Sequence, residues 1–207
     1  MSQKIMLPLA VLAIVFFVHS TFAGVVEGPI YNPANGHAYY LLNSASWTIS
    51  ESEAENLGGT LTTINDAAEN TWVFDTFAPT AESKGYDLWI GYYDPDTNDG
   101  TGAQHAADFI WIDGETPSYT NWSAGEPNGD PELNDEADYA AMTAFSHDSL
   151  TPGEWNDKSN TSSTTGSMGV VEVVPEPLSL KIACTMALIG LATRPRLKSA
   201  RNVEWPQ

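Results

Sequence analysis

The 207-residue sequence contains very little cysteine and very little positive charge. Its only cysteine is Cys184, so no disulfide bond can form within the chain, and a folded domain must rely on its core and on bound ligands. Lys and Arg together number eight against 27 Asp and Glu, and residues 24–174 hold 25 of these acids and only two of the bases. Because nucleic acid is bound through clustered Lys and Arg, this composition argues against nucleic acid as a partner.

The first 23 residues have the composition of an export signal. They combine Lys4, an apolar run over residues 5–18 and small residues just before Gly24. A membrane anchor is the alternative, although the apolar run is short for a span of about 20 residues. We therefore predict cleavage before Gly24 and a secreted mature protein.

Oxygen-bearing side chains are concentrated between residues 121 and 157. Two clusters, Glu126-Pro127-Asn128 and Trp155-Asn156-Asp157, flank a further group of acids at 130–138. Such dense carboxylates repel one another unless water or a cation separates them, and a cation that takes six to eight oxygen ligands is Ca²⁺. The lack of nearby His or Cys argues against zinc and copper. The alternative is that the acids only keep an extracellular protein soluble.

A second acidic segment, residues 94–100, superficially resembles an EF-hand loop. Its glycine, Gly100, stands one place late, and His105 occupies the position where the loop requires a glutamate. We therefore reject an EF-hand.

The order of predicted elements is that of an α+β domain. Strands are predicted at 37–42, 61–64, 88–92, 109–112, 139–143, 154–156 and 169–173. One helix is predicted to start at the capping box Thr48-Ile49-Ser50-Glu51 and to end at Gly58-Gly59, and a second to start at Asp66 and to end before Pro79. Trp47 and Trp72 are interpreted as core aromatics.

The ordered motifs resemble the C-type lectin-like fold over roughly residues 36–173. The motifs are Leu57-Gly58-Gly59, Leu88-Trp89-Ile90-Gly91, Phe109-Ile110-Trp111-Ile112, Asn121-Trp122, Gly125-Glu126-Pro127-Asn128, Trp155-Asn156-Asp157 and Val170-Val171-Glu172. The resemblance implies two helices, two small antiparallel sheets and a long calcium-binding loop region.

The same resemblance implies one Ca²⁺ held by Glu126, Asn128, Glu136, Asn156 and Asp157, with Asp138 as the alternative to Glu136. A vicinal pair of sugar hydroxyls can then coordinate the ion, donate protons to carboxylates and accept hydrogen bonds from amides. Glu126, Asn128, Glu136 and Asn156 are the residues implied to contact the sugar. In this family the Glu-Pro-Asn triplet, rather than Gln-Pro-Asp, is associated with mannose- and glucose-type sugars.

Three further expectations follow from the resemblance. The Glu126–Pro127 peptide bond is expected to be cis. The family's long-range disulfide positions hold Ala54 and Val171, an apolar pair whose packing can replace the bridge, and its short-range ones hold Tyr139 and Asn160, so the 159–167 loop is expected to gain freedom. A second calcium site near Asp94, Asn98 and Asp130 has a poor match.

The carboxyl end resembles the PEP-CTERM sorting signal of bacteria that make extracellular polysaccharide. Pro175-Glu176-Pro177 precedes an apolar stretch and a basic cluster, but Lys181 interrupts the stretch and residues 202–207 extend beyond the cluster. An ordinary C-terminal anchor is the alternative. The predicted organisation is a signal peptide at 1–23, a lectin-like domain at 24–173 and a sorting segment at 174–207 that contacts the membrane transiently.

The leading hypothesis is a secreted, calcium-dependent module that binds a glycan or exopolysaccharide. Affinity for one sugar should be weak because the site is shallow and wet, so several copies are expected to act together. The second hypothesis is an adhesion or protein-binding domain with structural calcium. An enzyme is not expected, because metal-bound carboxylates are poor general acids and His37, His105 and His147 lie in turns or polar loops.

Overall fold

The computed structural model describes residues 24–95, 106–129, 137–160 and 166–175. Within these residues the order of elements is β1 Val25–Tyr31, β2 Ala38–Ala45, α1 Trp47–Leu57, β3 Thr60–Leu61, α2 Ala67–Lys84, β4 Leu88–Tyr93, β5 Ile110–Trp111, β6 Tyr139–Met142, β7 Trp155–Lys158 and β8 Ser167–Val173. The predicted α+β class is confirmed.

The described strands form one mixed sheet rather than the two small antiparallel sheets that the sequence predicted. Its order is β1-β2-β8-β4-β6-β7, with β3 paired to β8 and β5 paired to β4. The join is the parallel pairing of β4 with β8, in which Leu88 lies opposite Met168 and Trp89 opposite Gly169. All other strand pairs in this part of the chain are antiparallel.

The helices cover opposite faces of this sheet. Leu41 and Leu42 are neighbours on β2 and therefore point to opposite faces. Leu41 belongs to the main core cluster with the α2 residues Val73 and Phe77. Leu42 packs instead in a smaller cluster with Ala54 of α1 and with Val171. The apolar pair at the missing long-range bridge is therefore fully buried, which confirms that packing occupies those positions.

Helix α1 begins two residues earlier than predicted. Its N-cap is Ser46, whose Oγ accepts a hydrogen bond from Ile49 N at 3.3 Å, and not Thr48. Both residues can cap, but Trp47 is buried and its indole donates to Ile90 O, which fixes the first turn on the sheet. The predicted C-terminal stop is confirmed at Gly58, which adopts a φ of 85°.

Helix α2 runs through Pro79, where the sequence predicted that it would end. Asp66 caps its first turn as predicted, with Oδ1 accepting from the backbone nitrogens of Ala68 and Glu69. The proline ring lies on the exposed side of the helix, where the carbonyl it leaves unpaired can be hydrated. Phe77, Ala78 and Ala81 continue the buried face beyond it, and this packing outweighs the local penalty.

The two positions of the missing short-range bridge, Tyr139 and Asn160, make non-covalent contacts instead. Tyr139 packs against Trp47 with ring centroids 4.8 Å apart, and the Asn160 side chain accepts from Thr48 N at 3.2 Å. Both contacts connect these residues to the start of α1. The loop between Asn160 and Gly166, which was expected to gain freedom, lies outside the described residues.

Among the described residues, no helix combines the length and the apolar character needed to cross a bilayer. The predicted signal peptide at 1–23 and most of the predicted sorting segment lie outside that part of the chain.

Candidate calcium and carbohydrate site

The long polar loop that carries Glu126 is hydrogen-bonded to the start of β7. Trp155 N donates to Asn121 O and Ser123 N donates to Trp155 O, both at 2.8 Å. The Trp155 ring is fully buried, and its Nε1 donates to Asn70 Oδ1 on α2 at 2.8 Å. These bonds place the Glu126-Pro127-Asn128 triplet beside the strand that carries Asp157.

Three backbone features turn the loop sharply at this triplet. Gly125 and Gly129 adopt positive φ values of 98° and 71°, which residues with a Cβ rarely adopt. The Glu126–Pro127 peptide bond between them is cis, as predicted. The triplet is therefore held between two glycine turns.

Asp157 is the buried centre of the site. It is only 5% exposed, and its carboxylate accepts two backbone hydrogen bonds from the loop. Asn128 N donates to Oδ1 at 3.1 Å and Gly129 N donates to Oδ2 at 2.7 Å. The two motifs, which lie almost thirty residues apart in the sequence, thus meet at one carboxylate.

The Glu126 carboxyl group lies beside the Asp157 carboxylate. Burial, together with this neighbouring carboxylate, raises the pKa of Glu126 to about 7. Its Oε2 atom is buried and has no hydrogen-bond partner. The carboxyl groups of Glu126 and Asp157 therefore face each other, and Glu126 Oε2 has no donor to offset its charge.

The donor set fits a hard divalent cation. Carboxylate oxygens are the ligands that Ca²⁺ prefers, and a cation would remove both the repulsion between Glu126 and Asp157 and the unpaired state of Oε2. Within the described residues no group of three or more His, Cys, Asp or Glu could hold a metal by itself. The predicted third carboxylate, Glu136, lies outside those residues.

The other predicted ligands differ in how the structure places them. Asn128 contacts Asp157 through its backbone nitrogen. Asn156 is half-buried on β7, directly before Asp157 in the chain. Asp138, the alternative to Glu136, is buried just before β6. For the second calcium site, Asp94 is buried, whereas Asn98 and Asp130 lie outside the described residues.

Two histidines lie in loops, as predicted, and each contacts a buried carboxylate. His37 Nδ1 lies 2.6 Å from Glu172 Oε1, and His147 Nε2 lies 3.1 Å from Asp87 Oδ1. Lys158 also reaches Asp87, with its Nζ 3.1 Å from Oδ2. The third histidine, His105, lies outside the described residues.

Sequence reasoning missed the backbone of Gly129 and the anchoring bond from Trp155 to Asn70. A glycine directly after the Glu-Pro-Asn triplet was a usable signal, because the positive φ there turns its N–H towards Asp157. Nothing in the sequence paired Asn70 with Trp155, since 85 residues separate them.

Comparison with known proteins identifies the family. The lectin C-type domain matches residues 43–165, which is more than half of the chain. A perlucin-like protein from Mytilus galloprovincialis is 26% identical over 71% of this chain and 87% of that protein. The C-type mannose receptor 2 of Rattus norvegicus is 29% identical over 58% of this chain, which spans only 7% of the receptor.

Solved structures support the same fold. The C-type lectin CEL-I from Cucumaria echinata is 26% identical, with a TM-score of 0.51, and the match covers 72% of this chain and 94% of that one. The carbohydrate-recognition domain of the human scavenger receptor C-type lectin is 20% identical, with a TM-score of 0.53 over 72% and 98% of the two chains, and shows the fold alone.

Members of this family are generally carbohydrate-binding, typically bind Ca²⁺ and are typically secreted or extracellular. The fold is not enzymatic, in agreement with the prediction. The chain belongs to the C-type lectin domain family.

Proposed function

We propose that the protein is a secreted or surface-exposed lectin module that binds mannose- or glucose-type sugars through a shared Ca²⁺ ion. The observation that carries this proposal is the meeting of Glu126 and Asp157, which leaves a buried carboxylate oxygen without a partner. Glu126 and Asp157 would hold a calcium ion, which would supply the missing positive charge.

Each protein group has a defined task in this proposal. Asp157 is held by two backbone N–H groups, so its carboxylate is fixed before any ligand arrives. Glu126 and Glu136 bind the ion and accept hydrogen bonds from sugar hydroxyls, while the Asn128 and Asn156 amides donate to them. The ion supplies Lewis-acid binding of two sugar oxygens.

The placement of the domain is also part of the proposal. Residues 1–23 act as a signal peptide, residues 24–173 form the lectin domain, and residues 174–207 act as a PEP-CTERM-like segment that retains the protein transiently at the membrane. The domain then acts outside the cell of an exopolysaccharide-producing bacterium, and several copies on one glycan compensate for weak single-site affinity.

Binding to immobilised mannan with calcium and with EGTA tests this function. We expect calcium-dependent binding that mannose competes for and that Asp157→Asn abolishes, whereas Glu115→Gln, which removes an exposed carboxylate on another loop, leaves it unchanged. Absence of mannan binding while calcium still raises the melting temperature would instead support an adhesion or protein-binding domain with structural calcium.

The sugar preference has its own test. The double variant Glu126→Gln with Asn128→Asp reproduces the Gln-Pro-Asp triplet and should shift preference from mannose towards galactose on a glycan array. An unchanged preference would remove this triplet from sugar recognition.

A further inference from the structure

A cavity of about 350 Å³ lies at the start of α2, beside the turn that joins β1 to β2. Its polar and aromatic lining consists of Asn32, Asn35, His37, Asn65, Asp66, Glu69 and Trp72. None of these residues belongs to the proposed calcium site. The volume is near the lower end of the range for small-molecule sites, which suits one pyranose ring.

Two buried carboxylates, those of Glu69 and Glu172, share the Tyr39 hydroxyl behind this cavity. The Tyr39 hydroxyl lies 2.6 Å from Glu69 Oε1 and 2.8 Å from Glu172 Oε1, and it accepts from Asn35 Nδ2 at 2.8 Å. A phenol carries one proton and can donate to only one of the two carboxylates. The carboxylate that does not receive this proton keeps another partner, since Asn35 Nδ2 donates to Glu69 Oε1 at 3.1 Å and His37 Nδ1 lies 2.6 Å from Glu172 Oε1.

The cavity lining offers little positive charge to compensate. Asp66 and Glu69 line it and Glu172 lies behind it, while His37, through Nδ1 at 2.6 Å from Glu172, is the only basic side chain among its lining residues. No Lys or Arg occurs in that lining. The local charge therefore favours a cationic ligand and disfavours an anionic one.

Trp72 gives the same cavity an aromatic surface. Its ring is half-buried and is held by Tyr39 at 4.8 Å and by Phe77 at 6.1 Å between ring centroids. An indole fixed in this way attracts an ammonium group and packs against the C–H face of a sugar ring. A metal ion fits less well, because no group of three acids or histidines among the described residues has a metal-binding arrangement.

We propose that this cavity is a second, calcium-independent binding site for a sugar that carries a free ammonium group. The ammonium group donates hydrogen bonds to the carboxylates at the start of α2, and the ring packs against Trp72. The positive charge of the ligand is inferred from the acidic lining of the cavity, and its identity as a sugar rests on the proposed function.

Three pyranoses that differ in charge test the proposal: glucosamine, glucose and glucuronate. Each is titrated in EGTA into the ¹⁵N-labelled full chain, and the indole N–H signals of the seven Trp residues are followed. The Trp72 signal is assigned from its loss in Trp72→Phe. We expect glucosamine to shift this signal at the lowest concentration, glucose to act more weakly and glucuronate not to act.

Asp66→Asn is the decisive variant, because Asn also caps helices well and the fold should survive. It should weaken glucosamine binding about threefold, the size expected for a partly exposed ion pair. Asp75→Asn removes an exposed charge from the same helix outside the cavity and should have no effect.

Equal responses to glucosamine and glucose, or equal effects of the two Asn variants, would overturn the proposal. In a separate titration without EGTA, a shift of the Trp72 signal by CaCl₂ together with no response to glucosamine would also overturn it and identify a metal site. Because the titration is done in EGTA, failure here leaves the calcium-dependent binding of mannan untouched, and failure of mannan binding leaves this result standing.

Discussion

Replacing Glu126 by Gln should raise the stability of the calcium-free protein and lower its affinity for calcium. In the calcium-free protein the Glu126 carboxyl group faces Asp157 and has a buried oxygen without a partner. A neutral amide removes the repulsion and can donate an N–H to the neighbouring carboxylate. The same change removes one charged ligand from the proposed calcium site.

The size of the first effect follows from the pKa of Glu126, which is raised from 4.5 to about 7. A group whose folded-state pKa is raised destabilises the folded protein above its unfolded pKa, and the effect is complete above the folded pKa. At 1.36 kcal/mol for each pKa unit the upper limit is about 3 kcal/mol. Because the side chain is only partly buried, solvent screening reduces this to about 1 kcal/mol, or about 2–4 °C in melting temperature.

Urea unfolding at pH 7.5 in EGTA and in calcium measures both effects. We expect Glu126→Gln to be more stable than the native protein in EGTA and less stable in saturating calcium, with calcium affinity on the order of tenfold lower. Glu115→Gln, with an exposed carboxylate, should match the native protein in both buffers. Lower stability of Glu126→Gln in EGTA would refute the repulsion between the two carboxylates.

Three further changes test the core and the sheet. Burial raises the pKa of Glu51 to about 7, so unfolding free energy should fall as the pH rises from 4.5 to 7, and Glu51→Gln should flatten this profile by at most about 3 kcal/mol in urea titrations. Gly59→Ala should destabilise the fold by about 1–3 kcal/mol in the same assay, since an added Cβ would lie 2.0 Å from Glu172 O. Ala54→Cys with Val171→Cys should form the missing long-range disulfide and stabilise the oxidised protein by about 2–4 kcal/mol over the reduced one.

Each of these changes has a control or a contradicting result. Glu82→Gln alters an exposed carboxylate on the other helix and should keep the native pH profile. Unchanged stability of Gly59→Ala would mean that this turn has room to move away from β8. For the disulfide, both variants carry Cys184→Ser so that the native cysteine cannot pair with the new ones. Ala54→Cys alone should then show no redox dependence, and a double variant that stays reduced in air would show that the two positions do not face each other.

The sequence predicted most accurately the elements whose ends are set by local chemistry. Asp66 caps α2 through its own carboxylate, and Gly58 ends α1 in the left-handed conformation. The cis bond before Pro127 followed from a single motif. In each case the residues that determine the structure are within a few positions of one another.

Elements that depend on distant partners were missed or misjudged. Strand β1, Val25–Tyr31, was not predicted, because the cis Gly28–Pro29 bond and two changes of register with β2 break the alternating pattern. Pro79 predicts a helix end, but the buried residues after it hold α2 together. The parallel pairing of β4 with β8, which joins the strands into one sheet, has no local signal.

In the site, too, the sequence motifs predicted some features and missed others. The two triplets predicted that Glu126 and Asp157 would meet, and the structure places these carboxyl groups side by side. The backbone donors that hold Asp157 were not predicted. Every residue except proline has a main-chain N–H, so the sequence does not show which of them donate. The roles of Asn156 and Glu136 stay predictions.

Anomalous diffraction from crystals of the protein grown in calcium chloride tests the central claim most directly. The account predicts a calcium peak about 2.3–2.6 Å from carboxylate oxygens of both Glu126 and Asp157. A map in which those two carboxylates are bridged only by a proton or by water at saturating calcium would contradict it.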